Sequence, residues 1–123
     1  MDKKPLSTYN LEPGYIFVSK TGECIRTVVG SCVAVSVWDR QKKFGGMNHF
    51  LYPRTSPHDK KTALFGTVAI PALLKLMEES GSSRRHLDAQ IFGGGKLWNN
   101  IHSSVGEQNV SIARTILEIG RAH

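Results

Sequence analysis

The sequence predicts one domain of the α+β or layered α/β sandwich class, with mixed β-sheets and two main amphipathic helices. Short β-branched or alternating segments dominate its first half, whereas helical periodicity is confined to the second half. Strands followed by helices are typical of domains in which helices pack against a sheet. With 123 residues, the chain is long enough for a single domain over residues 1–123 and too short for two.

The strand prediction is clearest for residues 32–38, where three valines alternate with mostly small residues. A polar turn at 39–43 leads to a returning strand at 44–51, so the two strands should form a hairpin. The valine face should pack on the core. Residues 1–13 predict a loose N-terminal lead-in. Weaker strand patterns occupy residues 15–18, 25–29 and 89–92.

Helical spacing marks residues 64–79 and 107–119. In the first helix, Thr67 is the predicted N-cap and Ser80-Gly81 the predicted stop. Gly120 is the predicted stop of the second. The residues expected to face inward are Phe65, Val68, Ala69, Ala72, Leu73, Leu76 and Met77 in the first helix, and Ile112, Ala113, Ile116 and Leu117 in the second.

The net charge of +6 raises the question of a nucleic-acid partner. The basic residues form separate pairs in predicted loops and termini, and no helix-turn-helix, zinc-finger or RNP pattern accompanies them. We therefore expect solvated loops and no nucleic-acid partner. No apolar run approaches the roughly 20 residues that span a bilayer, and the N-terminus lacks the apolar segment of a secretory signal. These features predict a cytoplasmic protein without membrane insertion.

The two cysteines, Cys24 and Cys32, are too few for a disulfide framework and are expected to be thiols. Together with His49 and His58 they match no zinc-module spacing. We expect no metal and no cofactor. The absence of a Cys-x-x-Cys pattern argues against a redox protein. The remaining histidines are expected at the surface: His86, His102 and His123, like His58.

Cys32 follows the turn residues Gly30 and Ser31 and opens the clearest strand. Only a thiolate attacks a carbonyl, so a nucleophilic cysteine needs a base nearby. The hairpin returns His49 to the neighbouring strand, and amides around Gly30 and Ser31 could bind an oxyanion. By residue type alone, a small buried cysteine and a structural histidine remain the alternative.

A third group should orient the imidazole of His49, and Thr27 and Asn48 are the polar candidates. Neighbours on a strand point to opposite faces, which disfavours Asn48 unless a bulge intervenes.

Several ordered blocks resemble the chemoreceptor glutamine deamidase family, CheD. The cysteine and histidine lie in the two most specific blocks, and the likeness continues through nearly the whole chain after the first dozen residues. The blocks are Gly30-Ser31-Cys32-Val33-Ala34-Val35, Gly45-Gly46-Met47-Asn48-His49-Phe50-Leu51-Tyr52-Pro53, Phe65-Gly66-Thr67-Val68-Ala69-Ile70, Ala89-Gln90-Ile91-Phe92-Gly93-Gly94-Gly95 and Val105-Gly106-Glu107-Gln108-Asn109-Val110.

This resemblance implies a hydrolase that deamidates chemoreceptor glutamines through a thioester, and in some members hydrolyses receptor methyl esters. It implies Cys32 as nucleophile and His49 as base. The family's third catalytic residue is a threonine; Arg26 takes its place in an ungapped alignment, and a bulge would bring Thr27 there.

The implied fold is a layered α/β sandwich related to deamidating toxins. The implied partners are chemoreceptor cytoplasmic helices and the CheC phosphatase as regulator. Thr67 departs from the family's usual Asp, and a C-terminal strand segment of the family has no counterpart in the sequence. The alternative is a catalytically weak regulatory module that binds a CheC-like phosphatase.

Overall fold

The computed structural model describes residues 7–95 and 105–121, which form layers of strands and helices. The elements in chain order are β1 Thr8–Asn10, β2 Ile16–Ser19, β3 Cys24–Arg26, β4 Val33–Asp39, β5 Phe44–Phe50, α1 Gly66–Glu79, a 3₁₀ turn Arg84–His86, β6 Leu87–Gly93 and α2 Val105–Arg121. The α+β class and the mixed sheets are confirmed: one sheet is a parallel pair and the other is antiparallel.

The main sheet has the strand order β2-β5-β4-β6, so the predicted hairpin of β4 and β5 lies at its centre. The valine face is confirmed, because Val33, Val35 and Val37 are all buried. Both helices pack on this face. The core residues that they contribute are Ala69, Ile70, Leu73, Leu74, Met77, Ile112 and Ala113.

The opposite face of the sheet is partly covered by the parallel pair β1–β3. Tyr9 of β1 stacks on Phe17 of β2, with ring centroids 4.0 Å apart, and Leu11 is buried. The prediction of a loose lead-in is therefore wrong for residues 8–11, while residues 1–6 lie outside the described part. Aromatic stacking and burial, which a polar local sequence does not reveal, hold this segment in place.

Helix α1 begins at Gly66, and the prediction of Thr67 as its N-cap is wrong: Phe65 is the cap residue and makes no side-chain cap bond. The helix enters directly from a backbone bridge between Tyr52 and Phe65. The amides of Gly66 and Thr67 donate to the carbonyls of Tyr52 and Pro53, at 2.8 and 3.1 Å. Because backbone carbonyls satisfy these first amides, no capping side chain is needed.

The buried face of α1 is rotated from the predicted one. Leu76 is 39% exposed, whereas Ile70 and Leu74, which were not expected to face inward, are buried. Ala69, Leu73 and Met77 are buried as predicted, and Ser80-Gly81 ends the helix as predicted. Apolar residues surround much of this helix, so periodicity alone could not choose among overlapping faces.

Helix α2 continues through Gly120 to Arg121, so the predicted stop is wrong. Glycine permits a helix end but does not require one. The predicted inward positions are confirmed for Ile112 and Ala113, which are buried; Ile116 and Leu117 are half-buried. Among the described helices, none is long and apolar enough to cross a membrane.

Candidate active site

Cys32 lies in a short loop, residues 30–32, which we call the thiol loop. The prediction that Cys32 opens the strand is off by one residue, because β4 begins at Val33. All three carbonyls of the loop accept hydrogen bonds: Gly30 from the Gly95 amide at 2.8 Å, Ser31 from Asn109 Nδ2 at 3.1 Å and Cys32 from the Gly94 amide at 2.9 Å. The backbone that carries the thiol is thus fixed from its carbonyl side.

The glycine run after β6 lets this loop approach closely. A Cβ at Gly93 would lie 2.2 Å from the Cys32 carbonyl oxygen. Glycine in this run thus marks a close approach of one backbone to another.

The amide groups of the thiol loop remain available. Within residues 7–95 and 105–121, the N–H groups of Ser31 and Cys32 have no hydrogen-bond acceptor, and both residues are half-buried. Adjacent unpaired amides beside a nucleophile are suited to stabilise a developing oxyanion.

His49 lies on β5 directly opposite Ala34 of β4. The Cys32–Gly94 hydrogen bond continues the β4–β6 register by one residue, so Cys32 follows the same alternation as Ala34. Cys32 and His49 are therefore assigned to the face opposite the valines, as diagonal neighbours. Diagonal neighbours in an antiparallel pair are roughly 7–8 Å apart at the backbone, within reach of an aromatic ring. In the described structure, His49 Nε2 makes no hydrogen bond to the Cys32 thiol.

Thr27 contacts His49 directly: its Oγ1 is 2.7 Å from Nδ1 of the imidazole. The same hydroxyl donates to the Leu11 carbonyl at 2.8 Å. A hydroxyl has one hydrogen, so Thr27 must accept from Nδ1, and Nδ1 carries the proton. The unprotonated nitrogen is then Nε2, which is buried and has no hydrogen-bond partner in the described structure.

Burial lowers the pKa of His49 below its ordinary value, because desolvation disfavours the imidazolium ion. The side chain is only 2% exposed. A neutral imidazole with its free lone pair on Nε2 is the form that can remove a proton.

Thr27, rather than Arg26, faces the histidine because β3 ends at Arg26. Arg26 pairs with Asn10 and is exposed, whereas Thr27 leaves the strand and turns toward Leu11 and His49. The ungapped alignment placed Arg26, one residue before Thr27, where the family has its threonine. The end of strand β3, instead of a bulge, accounts for this offset of one residue.

Asn48 points to the helix side of the sheet, as strand alternation predicts. Its Oδ1 accepts from the Val35 amide at 2.9 Å, and its Nδ2 donates to the Ala69 carbonyl at 3.0 Å. These bonds connect the sheet to α1, and of the two predicted candidates it is Thr27 that hydrogen-bonds to the imidazole.

Sequence reasoning assigned no role to Asn109, which is completely buried on α2. Its Nδ2 donates to the carbonyls of Ser31 and Leu51, at 3.1 and 2.9 Å. The available signal was a polar residue in register with Ile112 and Ala113 on the inward face of an amphipathic helix.

One cleft lies away from the thiol. It encloses about 570 Å³ between β6 and α2 and includes neither Cys32 nor His49 among its lining residues. No set of three or more histidine, cysteine or acidic residues in the described part of the chain is placed to hold a metal ion. Of the predicted surface histidines, His58 is exposed and His86 half-buried; His102 and His123 lie outside the described residues.

The fold and site together define a class: a layered α/β protein with a half-buried thiol and an oriented, neutral histidine at one end of its sheet. The sequence model of a family described as "CheD chemotactic sensory transduction" matches residues 51–121.

Curated relatives extend the match across the thiol and the histidine. A protein of Trichlorobacter lovleyi is 39% identical over 95% of this chain and 74% of its own length. Others are from Sulfurimonas denitrificans, 39% identical over 83% of this chain and 67% of its own, and from Methylobacillus flagellatus, 34% identical over 89% and 60%. All three are described as "Probable chemoreceptor glutamine deamidase CheD". This chain belongs to the CheD family and spans 60–74% of the length of these relatives.

Proposed function

We propose that this chain is a cysteine-dependent protein-glutamine deamidase that converts chemoreceptor glutamine side chains to glutamate and releases ammonia. The names of the relatives support the reaction and its substrate. The observation that carries the proposal for this chain is the Thr27–His49 contact, which leaves Nε2 as the unprotonated nitrogen and without a hydrogen-bond partner among the described residues. A buried nitrogen without a partner is uncommon and is expected where a proton must be accepted.

In the first half of the reaction, His49 Nε2 removes the Cys32 thiol proton and the thiolate attacks the glutamine carboxamide carbon. The negative charge moves to the amide oxygen, which the N–H groups of Ser31 and Cys32 stabilise. The role of Gly30 is to accept from the Gly95 amide and so hold the turn. His49 then returns the proton to the nitrogen, and ammonia leaves as the carbon–nitrogen bond breaks.

The second half hydrolyses the resulting thioester. His49, neutral again, takes a proton from water as the water oxygen attacks the acyl carbon. The carbon–sulfur bond breaks, the thiolate regains the proton, and glutamate is the product. Thr27 keeps Nδ1 protonated throughout, so Nε2 performs both transfers.

The same machinery accounts for an esterase side activity. A glutamate methyl ester offers the same acyl carbon with methanol in place of ammonia as leaving group, and it needs no further residue. The proposed partners are the cytoplasmic helices of chemoreceptors as substrate and a CheC-like phosphatase as regulator. A net charge of +6 would favour encounter with acidic helices.

Mass spectrometry of a glutamine-containing receptor fragment tests this proposal, with two single-cysteine variants as a matched pair. Cys32→Ala should form no glutamate, because the nucleophile is gone. Cys24→Ala removes an exposed thiol on β3 and should react like the wild type. A parallel assay on the methyl-esterified fragment tests the side activity.

Turnover by folded Cys32→Ala at the wild-type rate would refute the nucleophile assignment. If all three folded proteins are inert but bind a CheC-like phosphatase, the chain is a regulatory binding module and the deamidase proposal fails.

A further inference from the structure

We propose that Asn109 is a positioning residue for the deamidation described above: it sets the separation between the thiol loop and the strand end that carries His49. This inference depends on the proposed function for its consequence in catalysis. Its structural basis is the pair of hydrogen bonds from one side-chain amide to Ser31 and Leu51.

Ser31 is the neighbour of Cys32, and Leu51 lies two residues beyond His49. The two hydrogens of Asn109 Nδ2 have a fixed angle between them, so they hold the two carbonyls at a defined separation. Asn109 has no exposed surface, which shields both bonds from competing water. A change in this amide would alter the position of the nucleophile relative to the base.

Backbone pairing does not supply this connection. The β4–β5 ladder ends at the Val33–Phe50 pair. Beyond it, the Leu51 amide donates to the Leu64 carbonyl and the Cys32 carbonyl accepts from Gly94. Each strand end thus turns to a different neighbour, and among the described residues the Asn109 side chain is the hydrogen-bonding group that joins them.

Helix α2, which carries Asn109, packs closely against the glycines that bind the thiol loop. A Cβ at Gly106, in its first turn, would lie 2.6 Å from the Gly94 carbonyl oxygen and 2.5 Å from that of Gly95. The helix therefore lies directly against the two residues whose amides bind the Cys32 and Gly30 carbonyls. Rigid elements hold a reactive geometry more accurately than loops do.

The oxygen of the same amide differs from its nitrogen in having no hydrogen-bond partner among the described residues. Asn109 Oδ1 is buried without a hydrogen-bond partner in the described part of the chain. A leucine would fill a similar volume without this unpaired oxygen, but it would remove the donor to the carbonyls of Ser31 and Leu51. The two bonds from Nδ2 therefore offset the cost of burying the oxygen.

The test compares Asn109→Leu with Ser82→Ala, each in a Cys24→Ala background so that Cys32 is the remaining thiol. Ser82 is also buried and donates to Asp39 at 2.6 Å, at the opposite end of β4. Both changes remove buried hydrogen bonds, but only the first touches the thiol loop. If Asn109→Leu does not fold, Asn109→Asp, which keeps the shape and lacks the donors when ionised, takes its place.

We expect kcat of the Asn109 variant to fall about 10–100-fold with KM nearly unchanged, because small misplacements of reacting groups have effects of this order. The rate at which iodoacetamide alkylates Cys32 near neutral pH should fall in parallel and recover at high pH, where no base is needed. Ser82→Ala should keep the wild-type kcat and alkylation profile despite a lower Tm.

Equal kcat values and equal alkylation profiles for the two variants would overturn the positioning role. The alkylation measurement also separates the two proposals, since it needs no glutamine substrate. A wild-type protein without deamidase activity contradicts the proposed function, while a changed alkylation profile in the Asn109 variant would still support the positioning role.

Discussion

The buried polar groups at the two ends of strand β4 differ in their hydrogen bonding. At its C-terminal end, Asp39 is fully buried and accepts hydrogen bonds from Ser82 Oγ at 2.6 Å and from the amides of Gln41 and Lys42 at 2.9 and 2.8 Å. At its N-terminal end, the buried Nε2 of His49 has no partner among the described residues. Saturated polar networks stabilise a fold, whereas an unpaired group lowers stability and is available for chemistry.

The pKa values at the two ends reflect the same difference. Hydrogen bonds, first from the Lys42 amide and then from Ser82, lower the pKa of Asp39 and keep it ionised. Desolvation lowers the pKa of His49 and keeps it neutral. One group is thus held in its charged form by its partners, and the other in its uncharged form by burial.

The largest effects are expected from one substitution at each end of β4. His49→Gln removes the base, so we expect the deamidation rate to fall by about 10²–10⁴-fold, with little change in Tm. Asp39→Asn loses the carboxylate that accepts three bonds, so we expect a lower Tm and an unchanged rate. Glutamate formation by mass spectrometry and thermal unfolding by circular dichroism measure the two effects.

The contrast between the two ends of β4 fails if His49→Gln lowers Tm instead of the deamidation rate, if Asp39→Asn lowers the rate instead of Tm, or if either variant loses both. A His49→Gln protein that keeps its deamidation rate would remove His49 from the proposed mechanism. An Asp39→Asn protein that loses activity while remaining folded would show that the two ends of β4 are coupled.

Local sequence predicted the parts of the site that depend on strand alternation and hairpin return. Three alternating valines define the buried face of β4, and the hairpin brings His49 opposite Ala34. The same alternation predicted that Asn48 faces the helices. Each of these follows from a period of two residues and one short turn, which neighbouring residues specify.

The remaining contacts depend on distant parts of the chain. Thr27 reaches His49 because β3 ends at Arg26 and because Leu11, buried in a segment predicted to be loose, accepts from its hydroxyl. Asn109 is 78 residues from Ser31 in sequence. Neither contact has a local pattern, since both arise when separate elements pack on the sheet.

Two glycine substitutions are expected to have effects of intermediate size. Gly93 and Gly22 both have positive φ, at 96° and 87°, so alanine at either should destabilise the fold by roughly 1–3 kcal/mol. Only Gly93→Ala also forces a Cβ against the Cys32 carbonyl; Gly22 has nothing within 4 Å. We expect a further 10–100-fold loss of kcat for Gly93→Ala and none for Gly22→Ala. Urea unfolding measures the backbone strain that both substitutions introduce, and the deamidation rate measures displacement of the thiol loop. Equal kcat values for the two variants would argue against a tightly positioned thiol loop.

The smallest expected effect is a difference in the pH windows in which the two ends lose stability. Because the folded pKa of His49 lies below its ordinary 6.5, the unfolded chain binds more protons just below that value. The free energy of unfolding therefore falls as pH decreases through 6.5 toward the lower folded value. The Asp39 contribution to stability is present above its ordinary pKa of 3.8 and is lost as pH falls through the lower folded value.

Urea unfolding at several pH values should show His49→Gln with a flatter stability profile in the pH window of His49, and Asp39→Asn with a flatter profile only in the pH window of Asp39. Glu23 and Asp59, whose pKa values hydrogen bonds also lower, are common to all three proteins and cancel in the difference. A His49→Gln profile parallel to that of the wild type just below pH 6.5 would mean that this imidazole is not held neutral by burial. The contrast between the two ends would then not extend to their charge states.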